Sequence, residues 1–382
     1  MFECHSTCKR TTDGRVEADL GHDGGGFPVT VPAQWREVPT AQERGLPHRS
    51  FPTGWFHAGW SAEFERGKAY PLRYFAQDLV AFRGESGTLS VVDAYCPHLG
   101  AHMGYGGRVC GENLACPFHG WEWSPEGRNV HIPYSSRPNR GQRVAVWPVR
   151  ETNEMVFLWH DATGGAPTWE PPTIQRWTDG EFYPLYPACT GEWRNRPVAP
   201  QFLAENLADP AHQKYVHEAT DVPEMIEYSA EGPLWHSRQR MVWGGRKDGT
   251  WLTPGGERVG YLDIQGWGLG IALFRFDGID DTVQIQSIIP VDERVSDLRM
   301  SNFVPRREPD AERPTEKALR RIEHLRRQVD NDLLVWEHMR YVTRPPLPPE
   351  EAKPYLALRQ WSTAFYPEAE PPVTARALGS SA

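Results

Sequence analysis

The string Cys96-Pro97-His98 is followed, after 17 residues, by Cys116-Pro117-Phe118-His119. This C-x-H … C-x-x-H spacing constrains the chain more than any other feature. Two thiols and two imidazoles have to reach one small centre, so the C-x-H loop must turn sharply. A [2Fe–2S] cluster takes such a set, with two thiolates on one iron and two imidazoles on the other. The imidazoles remove negative charge and raise the potential above that of an all-cysteine cluster. A structural zinc site draws on the same ligand types, but more often through C-x-x-C or H-x3-H pairs. The flanks favour the cluster. Pro97 and Pro117 fix φ in both loops, and Gly100 and Gly120 permit close backbone approach. Backbone N–H groups near the sulfurs can then tune the potential.

The chain has 382 residues, enough for two domains. Its net charge of −9 argues against nucleic acid or an anionic membrane surface as the main partner. No stretch has the length and apolarity of a transmembrane helix. The start Met1-Phe2-Glu3-Cys4-His5 lacks the apolar run of a signal peptide, so the expected location is the cytoplasm. Besides Cys96 and Cys116, the chain holds Cys4, Cys8, Cys110 and Cys189, which form no obvious disulfide framework. Cys4, His5 and Cys8 read as a tail with free thiols, and Cys110 and Cys189 as packing residues. Abundant Pro and Gly, 35 each, with 16 Trp, fit a β-rich, loop-rich protein.

Residues 1–51 are polar and Gly-rich and read as an N-terminal arm. Residues 52–162 read as a small all-β domain carrying the cluster ligands. Leu79–Arg83 and Leu89–Val92 flank Gly84-Glu85-Ser86-Gly87 as a hairpin. Trp121–Trp123, Val144–Trp147 and Met155–Trp159 read as further strands, with a turn at Pro125-Glu126-Gly127. Gly164-Gly165-Ala166-Pro167 is the expected linker into a second domain, 163–382. That domain holds strands such as Thr282–Ile289 and two helical stretches, about Gln201–His217 and about Asp310–Tyr341. In the second, Leu319, Ile322, Leu325, Val329, Leu333 and Trp336 recur at helical spacing.

The first helical stretch holds the other dense constellation, Asn206-x-x-Asp209-x-x-His212-x4-His217. On a continuous helix Asn206, Asp209 and His212 share a face. His217, five residues beyond His212, falls off that face at about 100° per residue. Either the helix ends or bulges there, or His217 is not a ligand. Two His and one carboxylate make the facial triad of non-heme Fe(II) oxygenases, with positions left open for O2 and substrate.

Over nearly its whole length the chain resembles the terminal oxygenase component of Rieske non-heme iron oxygenases. The Asn206/Asp209/His212/His217 motif matches the family's catalytic motif in full. The segment Asp332-Leu333-Leu334-Val335-Trp336 is similar to the D-x-x-I/V-W-x-x-K string of the 3-ketosteroid 9α-hydroxylase oxygenases, with Met339 at the Lys position. Ala115–Trp123 and Leu358–Tyr366 resemble the same subgroup. The resemblance implies a Rieske domain followed by a helix-grip (START-like) antiparallel-sheet catalytic domain, an α+β protein. It implies a Rieske [2Fe–2S] cluster on Cys96, His98, Cys116 and His119, and mononuclear Fe(II) on His212, His217 and Asp332, with Asp330 as the alternative carboxylate. Asp209 would bridge a Rieske His of a neighbouring subunit to an iron-binding His, which makes a homotrimer the working unit. Asn206 and Asp209 are the catalytic candidates.

The implied activity is hydroxylation of a hydrophobic polycyclic substrate, a steroid or steroid-like compound, using O2 and electrons from an NAD(P)H-dependent flavin/iron–sulfur reductase or a ferredoxin. The alternatives are another aromatic or natural-product substrate with dihydroxylation, demethylation or desaturation, a pure Rieske electron carrier, and a zinc-stabilised binding module. A pure carrier leaves the residues beyond Asp161 without a role. Ala101 and Phe118 stand where respiratory-type Rieske proteins carry a disulfide, so the cluster resembles the ferredoxin-like type.

Overall fold

A computed structural model of the chain describes residues 38–174, 181–217, 219–243, 256–306 and 313–367. Most of the expected arm, with Cys4, His5 and Cys8, lies outside the described residues, as do positions 310–312 of the second expected helix. The described chain forms two compact units. One comprises His57–Trp159 with Ile289–Asp292, and the other Val38–Phe56, His160–Ile288 and the residues from Glu293 onward.

The first unit is all β. Its strands are β1 (Gly54–Trp60), β2 (Ala69–Tyr74), β3 (Gln77–Arg83), β4 (Leu89–Asp93), β5 (Arg108–Cys110), β6 (Asn113–Ala115), β7 (Glu122–Trp123), β8 (Asn129–His131), β9 (Val146–Trp147), β10 (Val149–Thr152) and β11 (Met155–His160). They make three sheets, ordered β1-β11-β10, β2-β3-β4-β9 and β5-β6-β7-β8. The expected β3–β4 hairpin forms with Leu79 opposite Asp93 and Arg83 opposite Leu89. The β2–β3 turn puts Phe75 and Ala76 at φ of 54° and 58°, the left-handed pair that a two-residue hairpin needs. Each costs about 1 kcal/mol, offset by stacking of the buried Phe75 ring on Trp147 at 5.8 Å. The expected strand over Val144–Trp147 shrinks to β9, because the Val144 N–H goes to the Gly127 carbonyl of the neighbouring turn (2.9 Å).

The second unit contains β12 (Thr190–Arg196), α1 (Pro200–Asn206), α2 (His212–Tyr215), β13 (Glu224–Glu231), β14 (Leu234–Trp243), β15 (Arg258–Trp267), β16 (Ile271–Asp277), β17 (Val283–Pro290), β18 (Ser296–Phe303), α3 (Glu316–Trp336) and α4 (Pro349–Thr363). Its strands form one seven-stranded antiparallel sheet, ordered β12-β18-β17-β16-β15-β14-β13. Burial alternates along β14, with Trp235, Ser237, Gln239 and Met241 inside, the period of a strand covered on one face. The α+β class, an all-β unit before a sheet-and-helix unit, is as the sequence predicts. Among the described residues no helix is long and apolar enough to cross a membrane.

Two helical expectations change. The stretch over Gln201–His217 is two short helices, because Pro210 lacks an N–H and biases Asp209 away from helical backbone. Asn206, Asp209 and His212 therefore do not share one helical face. α3 is shorter than expected. Thr315 caps its start by accepting from the Ala318 N–H (3.3 Å), which satisfies one otherwise unpaired donor. Its buried stripe runs through Ala318, Ile322, Leu325, Val329, Leu333 and Trp336, whereas Leu319 is 44% exposed. Two charged residues, Arg321 and Asp332, are buried on it as well; Arg321 is paired with Asp280 (2.8 Å) and lies over the Phe276 ring (4.5 Å). A charged residue so held is indistinguishable from a surface residue by apolar periodicity.

Candidate metal centres

The two cysteine loops of the first unit are built alike. In each, the Cys N–H donates to the carbonyl five residues on, Cys96 to Ala101 (2.9 Å) and Cys116 to Trp121 (2.9 Å). The glycine four residues after each Cys donates back to it, Gly100 to Cys96 (2.9 Å) and Gly120 to Cys116 (3.0 Å). That closure requires the left-handed φ of 73° and 69° that Gly100 and Gly120 adopt. Repeated geometry brings His98 and His119 together, with ring centroids 4.7 Å apart. Trp121 stacks on His98 at 4.4 Å, held by its indole N–H donating to the Tyr134 hydroxyl (2.8 Å).

Cys96 and Cys116 are buried, while both imidazoles are half-buried and Phe118 beside them is 61% exposed. Burial pushes the Cys96 thiol up to about 11, with Cys116 adding to the shift and the His98 backbone opposing it. An iron centre that takes up both sulfurs as thiolates removes that penalty along with the protons. His119 Nδ1 is buried with no hydrogen-bond partner among the described residues, as expected of an atom whose lone pair serves a metal. Cys96 and Cys116 are free thiols, so no disulfide joins these loops.

In the second unit His212, His217 and Asp332 each present one donor atom, all within 4.8 Å of one another. Three separate elements bring them there. His212 opens α2, whose last turn ends as the Val216 N–H returns to the His212 carbonyl (2.7 Å). The helix stops before His217, so the two rings meet edge to face at 5.1 Å. The helix end, one of the two options the spacing left open, is what the chain adopts. Asp332 comes from α3, 4% exposed, with Oδ1 3.1 Å from His217 Nε2. The Asn331 amide donates to the Val216 carbonyl (3.2 Å) and ties α3 to that segment. Asp330 points elsewhere: it accepts from Trp193 Nε1 (2.6 Å). Two residues along a helix turn through about 200°, so Asp330 and Asp332 occupy opposite sides.

The His212 ring is oriented from both edges. Its Nδ1–H donates to the Asp209 main-chain carbonyl, which assigns Nε2 as the lone-pair atom. The amide nitrogens of Asn206 (3.2 Å) and Gln213 (2.9 Å) face that Nε2. Burial pushes the His212 pKa down, opposed by Asp332 and Asp209, and so favours the neutral imidazole that metals bind. The Asp209 carboxylate mainly caps α2: Oδ1 accepts from the N–H of Ala211 (3.0 Å) and His212 (3.3 Å), while Oδ2 is 3.8 Å from His212 Nδ1. Its side chain remains 35% exposed. His217 Nδ1 is buried without a hydrogen-bond partner among the described residues, a second orphaned nitrogen at a candidate metal position.

Some supporting residues were invisible to sequence reasoning. Gln213 has no motif of its own. Arg359 on α4 pairs with Glu205 on α1 through Nε–Oε1 (2.9 Å) and Nη2–Oε2 (2.9 Å), across a separation no local pattern encodes. Glu205 immediately precedes Asn206, so this clamp holds the start of the motif.

The Rieske [2Fe-2S] domain family matches residues 54–150, and the 3-Ketosteroid 9alpha-hydroxylase C-terminal domain family matches residues 158–366, more than half of the chain. The 3-ketosteroid-9-alpha-monooxygenase oxygenase component of Rhodococcus rhodochrous is 29% identical over 357 residues, 90% of each chain. Cholesterol 7-desaturase nvd 1 of Ciona intestinalis is 28% identical over 355 residues, 85% of this chain and 70% of that one. The crystal structure of dicamba monooxygenase bound to dicamba has the same fold, with a TM-score of 0.64 at 18% identity over 83% of this chain and 98% of that one. Paired sulfur–imidazole loops in an all-β unit and a His/His/Asp trio in the sheet-and-helix unit, matched over residues 54–150 and 158–366 by these two domain families, make the chain a member of the 3-ketosteroid 9α-hydroxylase family of Rieske non-heme iron oxygenases, with a [2Fe–2S] cluster and a mononuclear iron.

Proposed function

We propose that this chain is the oxygenase component of a system that hydroxylates or desaturates a steroid or steroid-like polycyclic substrate. The convergence of His212, His217 and Asp332 carries the reading, because an electron carrier has no use for a second metal site. The two sequence relatives above act on a ketosteroid and on cholesterol by name, which supports the substrate class and leaves hydroxylation and desaturation side by side. Product mass separates them: hydroxylation adds one oxygen atom and desaturation removes two hydrogens.

In this reading residues 52–162 form the Rieske domain and 163–382 the catalytic domain, with 1–51 as an arm. Cys96, His98, Cys116 and His119 hold the [2Fe–2S] cluster, and His212, His217 and Asp332 hold the mononuclear iron. When bound, the cluster supplies electrons singly and the iron supplies O2 activation. The protein's part is to hold those centres and to position a C–H bond. Asn206 and Gln213 aim amide groups at the His212 edge, and the Asp209 carbonyl fixes its tautomer.

The half-exposed Asp209 carboxylate is the bridge to a Rieske His of a neighbouring subunit in a homotrimer. The electrons come from a separate NAD(P)H-dependent flavin/iron–sulfur reductase or a ferredoxin. The free thiols of Cys96 and Cys116 suit a reducing compartment, in keeping with a cytoplasmic enzyme.

The test uses Asp332→Ala and Asp330→Ala in the whole protein, with iron counted per chain and product assayed against steroids. Asp332→Ala keeps the Rieske spectrum and loses the mononuclear iron and turnover. Asp330→Ala keeps both irons and loses only the stability of its bond to Trp193. Loss of mononuclear iron from Asp330→Ala alone would overturn the ligand set.

A further inference from the structure

Between Gly127 and Val149 the chain carries four arginines, Arg128, Arg137, Arg140 and Arg143, and no acidic residue. The chain as a whole has a net charge of −9, so this run is opposite in sign to the rest. All four arginines are exposed, and none of their guanidinium groups makes a hydrogen bond or ion pair among the described residues. The nearest acidic side chain in sequence, Glu126, accepts from the Ser124 hydroxyl instead (2.7 Å). Other arginines of the same unit are used internally: Arg73 pairs with Asp78 (2.8 Å) and Arg83 with Glu151 (2.7 Å).

The run is held in place by its backbone. Arg128 and Arg143 stand directly opposite each other in an antiparallel bridge. The Asn139 N–H donates to the Asn129 side chain (2.7 Å), and the Gly141 N–H donates to the Asn139 side chain (3.0 Å). Those bonds fix the loop that carries Arg137 and Arg140. Like charges directly opposite one another destabilise a strand pair, and no acidic group within the unit pairs with these two to offset that cost.

The same loop abuts the histidine side of the first metal centre. A Cβ on Gly120 would meet the Pro133 ring at 2.9 Å. Tyr134 is 64% exposed and accepts from the Trp121 indole, which stacks on His98 at 4.4 Å. A protein seated on the arginines therefore lies beside the cluster ligands.

We propose that Arg128, Arg137, Arg140 and Arg143 form the landing surface for the electron donor, a ferredoxin or reductase that presents an acidic face around its own redox centre. This rests on Cys96, His98, Cys116 and His119 being the cluster ligands and on the donor being a separate protein. One electron passes from the reduced donor to the oxidised cluster, and no bond is made or broken. Such a donor has to arrive fast and leave after each electron. Opposite charges raise the on-rate by long-range attraction, and electron-transfer contacts are small and transient. A permanent contact with a second copy of the chain would call for a more apolar surface, whereas this one is cationic.

The test mixes the oxidised full-length holoprotein with a prereduced plant-type [2Fe–2S] ferredoxin, an acidic one-electron donor, and reads the second-order rate of cluster reduction by stopped flow. The rate should fall as salt rises from about 0.01 M to about 1 M, because the Debye length shrinks from about 30 Å to about 3 Å. At low salt the Arg137→Gln/Arg140→Gln/Arg143→Gln protein should be about tenfold slower and lose most of its salt dependence. Its affinity for the oxidised ferredoxin, measured by calorimetry, should fall in parallel. Reduction by photoreduced deazariboflavin, a small neutral donor, keeps its rate. Lys68→Gln, which removes a cation already paired with Glu65 (2.8 Å), keeps the ferredoxin rate.

A triple variant that matches the unsubstituted protein in rate, affinity and salt dependence overturns the proposal. A changed oligomeric state with an untouched ferredoxin rate also overturns it and gives the surface to a second copy. Should the triple variant load no cluster, the salt series on the unsubstituted protein decides, and a rate that does not fall with salt refutes the surface. An unsubstituted protein without any [2Fe–2S] signal would instead overturn the ligand assignment on which the inference rests.

Discussion

Glu205→Ala probes how the second centre is held in place. Glu205 and Arg359 have side chains 7% and 12% exposed, and they meet as a two-point pair with both contacts at 2.9 Å. The same carboxylate accepts from the Gln201 amide (2.9 Å) and the Tyr355 hydroxyl. Removing it strands a buried guanidinium and leaves two further donors without that acceptor. Breaking a buried pair from one side costs about 3–5 kcal/mol. Arg359 keeps the Val342 carbonyl (2.7 Å) and the Tyr341 ring (4.3 Å), so the lower figure, about 3 kcal/mol, applies. For a unit of this size that is a fall in Tm of about 6–12 °C.

The measurement is the unfolding of the sheet-and-helix unit by near-ultraviolet circular dichroism, with cluster absorbance followed in parallel. The cluster signal should persist beyond the first transition. Mononuclear iron should bind more weakly, because the residue after Glu205 is Asn206, whose amide faces His212. Glu205→Gln keeps an acceptor and the side-chain volume and should lose less. A Tm within about 1 °C of the unsubstituted protein would refute the clamp, since that is the behaviour of an exposed ion pair.

Asp209→Asn preserves an Oδ1 acceptor for the Ala211 and His212 N–H groups while removing the charge. It should retain both irons and fail to oxidise the reduced cluster in a single turnover, and normal oxidation would remove Asp209 from the electron path. His324, pushed down to about 4 by burial with Arg321 and Arg327 adding to the effect, predicts a pH dependence. The folded chain keeps this imidazole neutral until about pH 4, whereas the unfolded chain protonates it below about 6.5. Stability is therefore complete above about 6.5 and is lost as the pH falls towards 4. His324→Gln should flatten the slope of Tm against pH in that window; an unaltered slope would assign it to other groups.

Much of this protein was readable from its residues because the chemistry is local. Cys96/His98 and Cys116/His119 sit in loops whose proline and glycine content already dictates tight closure. The β3–β4 hairpin and the α3 stripe follow from periodicities of two and 3.6. His212 and His217 stood out by residue type, but how they meet depended on the helix ending before His217, and Pro210 broke the continuous helix that spacing suggested.

The choice between Asp330 and Asp332 was open in the sequence, since both are acidic and lie two residues apart. It turns on the rotation of α3 against Trp193 and His217, which packing against the sheet sets. Arg321 and Leu319 exchange the burial that hydropathy assigns them because Asp280 and Phe276, far away in the chain, neutralise and cover the guanidinium. Residue type and spacing alone specify which chemical groups are present and which loops and faces carry them. Tertiary structure decided which groups meet, because distances between segments remote in sequence follow from packing as a whole and leave no periodic trace in either segment.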